Sequence, residues 1–151
     1  MTRTRIAAMF VSGVLALVAC AGGRASPPEP THGGPPICDA PLALPTGFEP
    51  TETFKEEYPD RVGVRLGYAD EEGRELHAFA GIPGDFGEGL PDEGNVELVG
   101  GATGRLLGGP HQVWVVSWDE GDACDPRAVL GSGFDRLAFL DVLEGSGLVA
   151  P

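Results

Sequence analysis

Apolar and polar residues alternate with a period of two through much of the chain. Arg61 to Tyr68 reads RVGVRLGY, with Val62, Val64, Leu66 and Tyr68 on one face and Arg61, Gly63, Arg65 and Gly67 on the other. That alternation predicts a half-buried strand in an antiparallel sheet with one wet face. A polar turn, Ala69 to Gly73, leads into Arg74 to Ile82, where Leu76, Ala78, Ala80 and Ile82 share a face and His77 points outward. The two segments read as a hairpin.

Pro83 to Gly94 is an acidic loop rich in Gly and Pro. A phosphate cradle needs backbone N–H groups at a helix N-terminus, and no helical pattern follows this loop. Phe86 and Leu90 are expected to fold back onto the domain. Val96–Val99 and Gly104–Leu107 read as short strands around Gly100-Gly101. His111 to Trp118 (HQVWVVSW) is the strongest strand signal, apolar on both faces and therefore expected in the sheet interior. Arg127–Leu130 predicts one more strand. Thr51 to Tyr58 (TETFKEEY), before Pro59, predicts a short first helix.

Near the C-terminus the period changes. Phe134, Leu137, Ala138, Phe139, Leu140, Val142 and Leu143 recur at helical spacing, Ser132 with Asp135 reads as a capping box variant, and Gly145 is the natural stop. Strands followed by one terminal helix predict an α+β domain: an antiparallel sheet of about 5–6 strands with a C-terminal amphipathic helix packed on it.

The first residues follow a different logic. Met1 to Arg5 is basic, and Ile6 to Ala19 is uncharged and apolar. A run of about 14 residues is short for a bilayer span, which takes roughly 20, and the arrangement is that of a secretory leader. It ends in Leu17-Val18-Ala19-Cys20, which resembles the lipobox of bacterial lipoproteins. That resemblance implies a leader over residues 1–19, a diacylglycerol on the Cys20 sulfur, and Cys20 as the mature N-terminus. Two or three acyl chains on one Cys give durable attachment, which one chain does not. Residues 20–36 then form the anchor and a Pro/Gly-rich tether with little to bury, and 37–151 remain for one compact domain. The strand order, the Trp-bearing strand and the terminal helix are similar to small actinobacterial lipoproteins of unknown role.

Cys20 also resolves the cysteine count. The chain has three cysteines; with Cys20 lipidated in an oxidising compartment, Cys38 and Cys124 form the one available pair. Neither lies in a C-x-x-C or beside a His, so a redox or metal role has no motif behind it.

Charge narrows the partners. With Arg3 and Arg5 removed in the leader, eight basic residues face 23 acids, a mature charge of −15. Nucleic acid is excluded as a partner, because binding it requires a cationic face. The membrane is reached through the lipid on Cys20, while the domain itself is repelled by anionic headgroups.

Candidate chemistry is sparse. The acids at 119, 120, 122 and 125 do not match an EF-hand loop. No G-x-S-x-G, H-x-H or H-E-x-x-H is present, and no cofactor is implied. Trp114 and Trp118, four residues apart, are core aromatics or else line a ligand or partner surface with His111 at its mouth. The expectation is a membrane-anchored, non-enzymatic module that binds an envelope protein or small ligand. The alternative is an extracytoplasmic hydrolase using paired carboxylates.

Overall fold

The computed structural model describes residues 34–151. One antiparallel sheet of seven strands carries a single helix. The strands are β1 (Phe48–Glu57), β2 (Val62–Asp70), β3 (Glu75–Ala80), β4 (Asp92–Glu97), β5 (Thr103–Gly108), β6 (Val113–Trp118) and β7 (Arg127–Ser132), followed by α1 (Arg136–Gly145). Their order across the sheet is β1-β2-β3-β7-β6-β5-β4. Two antiparallel meanders therefore meet at β3 and β7. The chain crosses from the middle of the sheet to its far edge through the loop after β3, then works back inward.

The antiparallel sheet with a C-terminal helix matches the expected class, but the strand count is seven rather than 5–6. The difference lies at Thr51–Tyr58, which is not a helix. It belongs to β1, paired with β2 from Phe48↔Asp70 to Glu57↔Val62. Its charged residues satisfy a helical composition, but the Pro59-Asp60 turn folds it onto the open edge of β2. The ladder there outweighs a weak local preference.

Period-two patterning sorts the side chains between the two faces. On one, Leu66, Tyr68, Leu76, Ala78, Leu106, Trp114, Val116, Trp118 and Val129 pack beneath Phe134, Phe139 and Leu143 from the α1 region, with Leu42 and Phe48 closing one side. Gly131 of β7 makes this close approach possible. A Cβ there would lie 2.7 Å from the Phe139 ring and 3.2 Å from that of Phe134. Tyr68 donates its hydroxyl to the Leu42 carbonyl at 3.1 Å, and burial pushes its phenol up.

The helix starts later than the capping-box reading places it. Asp135, not Ser132, is the N-cap, its carboxylate accepting from the Ala138 N–H at 2.8 Å. Helical hydrogen bonding continues through Gly145, and the left-handed residue that ends the chain's turn is Gly147 (φ 79°).

The chain's entry is fixed on the opposite side from β1. Cys38 N–H donates to Val62 O at 2.9 Å and Val62 N–H to Pro36 O at 2.8 Å. The Cys38–Cys124 disulfide then ties this segment to the β6–β7 loop.

Candidate functional site

The second face of the sheet lies away from the main core. It divides into a charged half on β1–β3 and a strapped half on β5–β7.

On the charged half, strand register assembles what chain order separates. Glu52 of β1 lies opposite Gly67 of β2, and Gly67 lies opposite His77 of β3. Gly67 has no side chain to fill the gap; a Cβ there would meet Glu52 Cγ at 2.6 Å and His77 Nδ1 at 3.3 Å. Glu52 occupies that space. Its Oε1 lies 3.0 Å from Arg65 Nε and 3.4 Å from His77 Nδ1, and its Oε2 accepts from Arg65 Nη2 at 3.1 Å. Arg65 Nε and His77 Nδ1 are shielded from solvent, and neither makes an aligned hydrogen bond. Glu52 lies between the two, nearer to Arg65. Glu75 approaches the other side of the imidazole, 3.9 Å from Nε2. The Arg65 guanidinium sits 5.3 Å over the ring of Phe54, which is 45% exposed.

On the strapped half, the Gly84–Pro91 loop lies over Leu107, Val115 and Ala128, and Phe86 and Leu90 pack down as the hydrophobic pattern anticipates. Phe86 meets Phe79 with ring centroids 4.7 Å apart. Beside the strap opens a cavity of about 630 Å³, lined by Asp85, Phe86, Glu88, Arg105, Ser117 and Asp119 among others. Arg105, one of the lining residues, is paired to Asp92 at 2.9 Å.

The Asp119–Asp125 loop closes on itself. The Asp125 carboxylate accepts from the backbone N–H groups of Glu120, Gly121 and Asp122 at 3.0, 2.6 and 3.0 Å. Arg127 bridges Asp122 at 2.7 Å, Asp125 at 2.5 Å and Glu120 at 3.4 Å. Burial works to raise the Asp125 carboxyl, but the three N–H groups and Arg127 outweigh it and hold the group below its usual range. Asp122 is held down by Arg127 and the Cys124 N–H. The carboxylates of Glu120, Asp122 and Asp125 already have partners. Among the described residues no three His, Cys, Asp or Glu side chains converge as a metal-binding group.

The sequence-predicted residues do not form one site. Trp114 and Trp118 are each 6% exposed and belong to the core. Their indole N–H groups are used internally, by Phe134 O at 3.0 Å and Glu120 Oε1 at 3.2 Å. His111 is exposed at a turn and does not join them. Cys38 and Cys124 are joined in the disulfide. Cys20, with the expected leader and the expected tether up to residue 33, lies outside the described residues.

The Glu52–Arg65–His77 cluster was not anticipated as a unit. Alternation already places Arg65 and His77 on the outward face, but a helix at Thr51–Tyr58 hides Glu52. Only the register of β1 against β2 reveals it. Among the described residues no helix is long and apolar enough to cross a membrane.

No protein-family model matches the chain, and neither a curated protein nor a solved structure does.

Proposed function

We propose that this chain is an extracytoplasmic lipoprotein, held to the membrane by acyl chains on Cys20, whose folded domain is a non-enzymatic binding or structural module for an envelope protein or small ligand. The anchor rests on Leu17-Val18-Ala19-Cys20 after a basic and then apolar leader. The disulfide between the two remaining cysteines supports an oxidising compartment.

One observation favours a module over a hydrolase. A carboxylate acting as general acid near neutral pH must be pushed upward. Asp70, Asp92, Asp122 and Asp125 are instead each committed to backbone N–H groups of their own turn and to an arginine. These are groups that brace turns.

Two measurements test the reading. Labelling cells with an alkynyl palmitate analogue should mark the wild-type protein and not Cys20→Ser; labelling that survives the substitution removes the anchor. Affinity capture of the lipidated protein from its own envelope should recover a specific partner, and recovery of none counts against the module.

A further inference from the structure

The two edges of the sheet are treated differently. β4 is short, broken by a bulge between Asp92 and Gly94, and covered at its end by the chain's own C-terminal residues. Leu98 bridges Val149, Val99 N–H donates to Leu148 O at 2.9 Å, and Ala150 N–H donates to Glu97 O at 2.9 Å. β1, at the other edge, is ten residues long and exposed from Glu49 to Glu57 except at half-buried Glu52. Beyond the irregularity between Pro50 and Glu52, six residues run in unbroken register, Glu52 to Glu57.

The direction of each backbone group in that run can be read from its neighbours. Tyr58 N–H donates to Arg61 O at 2.8 Å across the turn, whereas both backbone groups of Val62 are turned away, toward Pro36 and Cys38. Alternation in an antiparallel ladder then directs Glu52, Phe54 and Glu56 inward to β2. The N–H and C=O groups of Thr53, Lys55 and Glu57 point out of the sheet. Among the described residues no strand pairs with them, and an open edge of this kind is a template for an added strand.

The side chains select what is added. Glu52, Phe54 and Glu56 share the second face, Glu52 with Arg65 already paired on its inner side and Glu56 without an arginine partner among the described residues, so an incoming strand meets acid, aromatic, acid at alternate positions, with the stronger pull at Glu56. Four glutamates and one lysine occupy β1. A second copy paired antiparallel about Phe54 sets Glu52 against Glu56 twice, so the charges that attract a cationic strand repel self-pairing.

We infer that β1 is a docking edge for an extended peptide segment of another protein carrying a cation–x–apolar–x–cation pattern, added antiparallel along Thr53–Glu57. This deepens the module reading and rests on it.

The probe is the acetylated, amidated peptide Thr-Lys-Thr-Val-Thr-Lys-Thr, titrated into the full-length protein in detergent and followed by amide NMR and hydrogen exchange. Binding should protect the Thr53, Lys55 and Glu57 amides and weaken with salt. Lys55→Pro removes one outward N–H and leaves the β2 ladder intact; it should weaken binding roughly tenfold, and Glu56→Lys should weaken it with the fold unchanged. Equal binding of a peptide with Glu in place of Lys, perturbation centred away from β1, or indifference to both substitutions overturns the inference. A partner captured from the envelope that Lys55→Pro does not release overturns it while leaving the module reading intact. Failure to capture any partner, with the peptide still bound at β1, counts against the module reading alone.

Discussion

The Trp114 indole N–H donates to the Phe134 carbonyl at 3.0 Å, joining an interior strand to the turn that launches α1. Both residues are buried, so the bond is not exchanged for one to water. Trp114→Phe retains an aromatic ring but leaves that carbonyl unpaired, a cost of about 1–3 kcal/mol. Urea denaturation should show a lower midpoint at unchanged slope. An unchanged midpoint would mean that the bond contributes nothing.

Between β5 and β6 the chain turns through Pro110-His111-Gln112-Val113, with the Val113 N–H returning to Pro110 O. His111 (φ 59°) and Gln112 (φ 57°) both adopt left-handed conformations, the geometry of a type I′ turn that normally takes Asn-Gly. The Gln112 carbonyl also receives the Gly133 N–H at 3.0 Å, which holds the turn against the α1 approach. Gln112→Gly keeps that carbonyl and relieves the strain. It should raise stability by about 0.5–1 kcal/mol once the added freedom of the unfolded chain is counted, seen as a higher Tm.

Stability should fall in acid because of the aspartates that brace turns. Asp122 and Asp125 are held down in the folded protein, as are Asp70 and Asp92. The unfolded chain therefore takes up protons first as pH falls. The contribution is complete above the ordinary carboxylate value, about 3.9, and is lost as pH drops below it through the lower folded values. Asp125→Asn should lower stability at neutral pH and flatten the acid limb of a urea-midpoint-against-pH curve. An acid limb identical to wild type would refute the role given to Asp125.

The disulfide spans a sequence separation of 86 residues. Its sulfur packs over Gly81, where a Cβ would lie 2.6 Å from Cys38 Sγ, and Gly81 N–H donates to Cys124 O at 2.6 Å. Cys38→Ser with Cys124→Ser should cost about 2–5 kcal/mol. Hydrogen exchange should rise first in residues 36–40 and 119–126, which the bond joins directly. Uniform acceleration across the sheet would show that the bond acts only on global stability.

Local signals were informative wherever burial is one-sided. The alternation of Val62 to Tyr68 and of Leu76 to Ala80 identified two strands and their core faces, and Phe134 to Leu143 identified the helix. The His111–Trp118 stretch announced a doubly covered strand, and Trp114, Val115, Val116 and Trp118 are all buried. β1 was illegible for the opposite reason: of its ten residues only Phe48 is buried, so no periodicity marks it. The N-cap shifted to Asp135 because several polar residues there can accept a backbone N–H, and packing of Phe134 decides among them.

By itself, the sequence determined the class of the fold and the acidity of the domain, and it singled out the disulfide pair on the expectation that Cys20 carries lipid. Each follows from composition, count or a repeating pattern that neighbouring residues carry together. Tertiary structure alone decided that Thr51–Tyr58 falls in a strand and its turn, that Glu52 lies between Arg65 and His77 over Gly67, that both tryptophans turn inward, and that, among the described residues, one edge is covered at its end and the other is unpaired. These depend on strand register and on which backbone groups find partners. Such long-range hydrogen bonding leaves no trace in the local order of side chains.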